Sequence, residues 1–335
     1  MEVPASVSTL TTLLKVALGT VALVLGAGYV GLGAVSIVVN VITMIVLFVA
    51  LRRALFHPRL EVDPGFQRRM LRDAYPLMIN LLLATLFFKV AVVILEWLQD
   101  SRVVGWYSTA YKYVDAVQLI PAYFTLAIFP LMSRYAATAR DSLVKAYVLA
   151  TKLLVIVAVP LALIGWALSK ELITILGGSQ YLPFSARILA VMIWHVPLGF
   201  INSVTQYVLI ALDRQRYLTR AFVIGLSFNL LANIVLIGRY GYMAAAYVAI
   251  ASELALLIPF AVGVRRYLGP ISLPRVVWKQ TVSALPMVLM CALLPRRLLA
   301  LSLWGGLALY ALGLVLLRVF DAQERQAVRQ VFHRS

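Results

Sequence analysis

The sequence predicts an all-α integral membrane protein with about ten transmembrane helices. Three features predict it. Apolar residues make up 63% of the 335-residue chain and charged residues only 13%. The apolar residues fall in runs of about 20, the length that carries a helix across a bilayer. Basic residues gather in the short breaks between those runs, as they do in membrane proteins of defined orientation.

A soluble domain usually holds about 45–50% apolar residues and about 25% charged ones. A soluble fold of this length has no interior large enough for the surplus. A soluble enzyme, a disordered chain and a disulfide scaffold are therefore excluded. The runs are apolar on all sides rather than alternating, which selects helices over an outer-membrane barrel.

In chain order, spans are expected near 10–28, 31–51, 74–97, 104–131, 149–168, 185–211, 219–237, 241–263, 277–294 and 298–317. Alternate loops then differ sharply in charge. Twenty-one Lys and Arg fall on one side, from Arg52, Arg53, Arg59, Arg68, Arg69 and Arg72 through Arg134, Arg140, Lys145 and Lys152 to Arg325, Arg329 and Arg334. The other side holds five: Arg102, Lys170, Arg239, Arg296 and Arg297. That bias puts the first set and both termini in the cytoplasm, with Pro295-Arg296-Arg297 the one loop against the pattern. Trp97, Trp106, Trp166 and Trp304 fall near expected outer ends, as interfacial aromatics do.

The net charge of +17 would suggest nucleic acid in a soluble chain. No basic helix with interleaved aromatics lies outside the apolar runs, so topology accounts for it and no nucleic-acid partner is expected. Cys291 is alone, which excludes an internal disulfide and a cysteine metal cluster. Met1-Glu2 offers no basic region of a secretory signal. No Walker motif is present. His57, His195 and His333 are scattered, and the outer loops are too short for a catalytic grouping. The expectation is a transporter that is not an enzyme and uses neither cofactor nor metal.

Four basic residues remain inside spans: Lys15, Lys89, Lys112 and Arg187, with Glu96, Asp115 and Glu253 as acidic companions. A charge at bilayer depth costs about 2.5–3.5 kcal/mol on insertion scales, so it faces water or a partner. Lys112 and Asp115 are three apart and share a helix face. Two readings stay open. Lys112–Asp115 is an ion pair bracing two helices, or Lys89 and Lys112 exceed Asp115 and attract an anionic head group. Lys15 and Arg187 lie near span ends, where long basic side chains reach the interface. Glu253 has no basic residue one turn away and reads as a proton-coupling group or as a neutral acid bonded across a helix pair. Asn229 and Asn233 share a face and suit interhelical hydrogen bonds; Asn80, Asn202 and Gln206 are further uncharged polar groups in spans. Pro121, Pro160, Pro197 and Pro259 each interrupt a span and predict kinks.

Residues 102–135, RVVGWYSTAYKYVDAVQLIPAYFTLAIFPLMSRY, and 211–253, ALDRQRYLTRAFVIGLSFNLLANIVLIGRYGYMAAAYVAIASE, carry a family likeness. They resemble the polysaccharide flippases (Wzx or RfbX type) of the MATE-like MOP exporter superfamily. The resemblance implies a MATE-like flippase fold that moves lipid-linked oligosaccharide or polysaccharide precursor across the cytoplasmic membrane by alternating access between two lobes. It implies a lipid-linked glycan substrate, membrane lipids and glycan-assembly proteins of the same pathway as partners, and Lys89, Lys112 and Arg187 as candidates for its anionic head group. A cationic cavity lowers the cost of bringing pyrophosphate to mid-membrane. The alternatives are a cation-coupled multidrug exporter of the same superfamily, whose cargo suits an acidic cavity, and a non-transporting relic.

Against the family pattern, the chain aligns from the fifth family helix onward, implying that about four N-terminal spans are absent. Residues 1–55 then read as the remnant of a truncated N-terminal lobe, 56–73 as a basic cytoplasmic loop, 74–263 as the six-helix C-terminal lobe, and 264–335 as two extra spans with a basic tail. On that reading the chain alone is not expected to transport. Ala91 stands where many relatives carry Asp, which predicts that Lys89 lacks a partner. Met243 replaces a small residue before Ala244–Ala246, a change in packing.

Overall fold

The structure, a computed structural model, describes residues 2–54, 63–294, 298–321 and 324. The expected basic loop at 295–297, Arg59, most of the basic tail, His57 and His333 lie outside the described residues. Every regular element among the described residues is helical. Among these residues, eight helical segments are long and apolar enough to span a membrane. The first and last expected spans fall on shorter apolar stretches, Thr9–Val24 and Leu301–Leu316.

The chain divides into two units, 1–71 and 72–335. In the first, α1 (Glu2–Val24) and α2 (Gly28–Ala54) form an antiparallel hairpin. Gly26 makes the turn at φ 77°, with its N–H on Leu23 O and the Ala27 N–H on Ala22 O. That satisfies the last carbonyls of α1 in the way that favours glycine. Along the hairpin, Thr11 Oγ1 and Thr43 Oγ1 share a 2.7 Å hydrogen bond between the helices. Helix α3 (Pro64–Leu98) begins in this unit, capped by Asp63, whose Oδ1 accepts from the Gly65 and Phe66 amides.

The second unit continues α3 and adds α4 (Ser101–Thr138), α5 (Arg140–Ala167), the short α6 (Ser169–Gly177), α7 (Phe184–Met192), α8 (Val196–Ala211), α9 (Gln215–Tyr240) and α10 (Met243–Tyr267). Helices α11 (Leu273–Ser283), α12 (Leu285–Leu293) and α13 (Leu299–Leu316) follow. Helix α4 runs well past the expected 104–131, and α5 starts nine residues before the expected 149. Their ends are polar and basic, so hydropathy alone misses them. Helix α8 packs against α4, α5 and α10, and the main core lies there, around Tyr107, Tyr147, Leu189, Val196 and Phe200. A second cluster joins Phe87, Phe222 and Phe260; a third packs α12 and α13 on α5 through Val159, Met287 and Tyr310. Between membrane helices such contacts hold by close packing rather than by the hydrophobic effect. Accordingly Gly263 lies directly against the Tyr217 ring, whose hydroxyl donates to Pro259 O.

Two expected spans are broken. The 185–211 segment bends through a 3₁₀ turn at Ile193–His195 just before Pro197. Proline lacks the N–H that would reach Ile193 O, and the Val196 N–H takes that carbonyl instead. This frees Met192 O, to which His195 Nδ1 donates at 2.7 Å. The 277–294 segment divides into α11 and α12 at Ala284, two residues before Pro286. Prolines 121, 160 and 259 instead lie inside continuous helices.

Candidate functional site

Within the second unit a cavity of ≈ 400 Å³ opens between α3, α4, α8 and α10. Its polar residues come from all four helices: Lys89, Asp115 with Gln118, Asn202 with Gln206, and Glu253. Phe88, Phe222 and Phe260 line its apolar parts. Lys89 Nζ lies 3.2 Å from Asp115 Oδ2 and 4.7 Å from the centre of the Tyr111 ring. Both charged side chains remain 52% exposed, so the pair faces the opening rather than a dry interface.

The deep end is built differently. Glu253 and Asn202 are buried, and Asn202 Nδ2 donates to Glu253 Oε2 at 2.6 Å and to Glu253 O at 3.0 Å. Gly199 makes room for this contact. A Cβ there would sit 2.8 Å from Gln118 Nε2 and 3.5 Å from Glu253 Oε1. Gln118 Nε2 and Asn202 Oδ1 are buried with no hydrogen-bond partner among the described residues.

A smaller space of ≈ 20 Å³ adjoins, sharing Phe88, Tyr111 and Glu253 with the first. That is about room for one water. His195, Asn229 and Asn233 line it together with Ala91. Asn229 Nδ2 donates to Phe87 O at 2.8 Å, tying α9 to α3, and Asn233 Nδ2 donates to Asn229 O at 2.9 Å.

Several expectations are corrected here. Asp115 does not pair with Lys112 on its own helix but with Lys89 across from α3. Lys112 is exposed and is not part of the cavity wall. Lys89 has a partner after all. Residues 89 and 91 point about 160° apart on a helix, so Ala91 faces the small space and was never placed to serve Lys89. Arg187 lines a separate cavity with Lys170 and is not brought to this site. Trp106 stacks on Phe184, with centroids 4.0 Å apart. Gln118 and Tyr111 join the site although nothing in the sequence marks them, and so does His195. The break before Pro197 was the one available signal for His195.

Long apolar helices surrounding a polar cleft mark a multi-pass membrane protein. Residues 1–136 match the family described as polysaccharide biosynthesis protein, and residues 76–235 match the MatE family. The two matches overlap over residues 76–136, and each covers less than half of the chain. The fold is similar to that of a solved structure, lipid II flippase MurJ in an inward closed conformation. The TM-score is 0.71 at 13% identity, over 92% of this chain and 67% of the other. No curated protein sequence matches the chain.

Proposed function

We propose that the protein moves lipid-linked oligosaccharide or polysaccharide precursor across the cytoplasmic membrane by alternating access, with the anionic head group passing Lys89. It does so as a carrier without a catalytic step, with both termini in the cytoplasm, and it serves the assembly proteins of a glycan pathway. The observation that carries this reading is the placement of Lys89, within the candidate membrane span Ala74–Leu98, in a polar cavity, paired to Asp115 yet half exposed. An ion pair that open to solvent contributes about 0–1 kcal/mol, so a phosphate can take the place of Asp115 at little cost. Gln118, Asn202 and Gln206 supply amides on the same wall for sugar hydroxyls. The lipid tail stays in the bilayer while the head group uses the cleft.

The test is export of lipid-linked glycan in cells that depend on this protein. Lys89→Gln is expected to lower export about fivefold to thirtyfold, the value of one to two well-placed charge interactions. Lys112→Gln is expected to leave it unchanged. Equal export by wild type and Lys89→Gln, at equal protein level, would remove the cavity from the transport path. A multidrug exporter would instead show cationic dye efflux that survives loss of glycan synthesis.

A further inference from the structure

A second cavity, ≈ 330 Å³, lies between the end of α5, the short helix α6, α7 and α12. We propose that it binds a lipid-borne phosphate in the outer leaflet, the leaflet assignment resting on the orientation given above. Lys170 from α6 and Arg187 from α7 both line it. Neither makes an ion pair among the described residues, and Glu171 is not among the lining residues. Two like charges sharing one cavity repel each other and favour an anion between them. The charge bias that orients membrane proteins explains basic residues on the inner face; Lys170 belongs to the sparse outer set and needs another reason.

The remaining wall has the character of a lipid site. Trp166 stands at one side, and Ala190, Cys291 and Leu294 make it apolar. On either side of Cys291, helix α12 exposes Leu289 and Leu293, at 56% and 78%. The volume matches the lower range of small-ligand pockets, about 300–1,000 Å³. It suits a phosphate with the first methylenes attached, the rest of the tail lying along α12. The cavity shares no residue with the Lys89 cleft.

Native mass spectrometry of the purified full-length protein tests this with phosphatidylglycerol, phosphatidylcholine, polyprenyl phosphate and inorganic phosphate as probes. Phosphatidylglycerol is expected to be retained over phosphatidylcholine. Lys170→Gln/Arg187→Gln together should lose about thirtyfold, since each cation near an anionic lipid contributes about fivefold. Lys170→Arg/Arg187→Lys should keep binding, as should Arg239→Gln, which removes one charge from the same face. Displacement of phosphatidylglycerol by equimolar polyprenyl phosphate identifies the glycan carrier as occupant; its failure to displace identifies the host phospholipid. Unchanged adducts in the double Gln variant, equal retention of phosphatidylcholine, or full displacement by millimolar inorganic phosphate would overturn the proposal. Binding is read without transport, so a failed export assay leaves this result standing and a failed binding assay leaves the flippase reading standing.

Discussion

Lys89 and Asp115 meet at 3.2 Å while half of each side chain faces open space. If the pair existed to brace α3 against α4, its loss would unfold the bundle. In this setting it contributes about 0–1 kcal/mol, so Asp115→Asn and Lys89→Gln should each keep their stability within about 1 kcal/mol in a thermal melt of the detergent-purified protein. A loss beyond twice that in both variants would assign the pair to bracing. Glu253 is the opposite case. It is buried, no cation among the described residues pairs with it, and Asn202 holds both its carboxyl and its backbone carbonyl. Glu253→Gln retains an acceptor for Asn202 and should fold and export like wild type. Glu253→Leu leaves a buried donor with half its partners and should lose about 1–3 kcal/mol. Normal stability with abolished export in Glu253→Gln would instead mark the carboxyl as a proton carrier.

At the scale of the helix, the break at Ile193–His195 follows from one missing N–H. Pro197 cannot serve Ile193 O, Val196 serves it instead, and His195 Nδ1 covers the carbonyl left at Met192. His195→Leu should therefore cost about 1–3 kcal/mol by exposing Met192 O to an apolar surrounding. Adding Pro197→Ala should recover part of that loss, because a regular helix returns the Val196 N–H to Met192 O. Thermal melts of the two single variants and the double one measure this coupling; strict additivity would disprove the link. Hydropathy reveals such segments as spans because each carries its own apolar run. It gives their interiors and not their polar ends, which is why α4 and α5 extend past the expected limits. The site is a different matter. Lys89, Asp115 and Glu253 stand out in the sequence as charges in apolar surroundings, but which of them meet depends on helix register. The three-residue spacing of Lys112 and Asp115 marks a shared face, and α3 supplies a competing lysine that no local pattern announces. Asn229 could be read because it bonds across to α3, whereas Asn233 bonds within its own helix. Gln118 and His195 could not, since an amide or a histidine in a span has no distinguishing pattern until its neighbours are known.

For the molecule as a whole, orientation is set by charge rather than by packing. Helix α4 offers the cleanest test. Its 38 residues extend about 57 Å at 1.5 Å per residue, far beyond the roughly 30 Å of hydrocarbon, long enough for both ends to clear the membrane. Near its start the nearest base is Arg102; near its end lie Arg134, Arg140 and Lys145. The end is moreover anchored, since Arg140 donates to Tyr267 O at 2.6 Å at the foot of α10, where Arg265 and Arg266 add further positive charge. Moving that cluster to the outer face would oppose the bias at several loops at once. In a Cys291→Ser background, Gln99→Cys should react with an impermeant maleimide in intact cells. Thr138→Cys should react only after permeabilisation. Both positions are exposed, so access is decided by the membrane and not by burial. The reverse pattern would invert the whole bundle and move the Lys170–Arg187 cavity to the cytoplasmic leaflet. Labelling of both from outside would mean that α4 does not cross, and the cleft beside it would lose its place at bilayer depth.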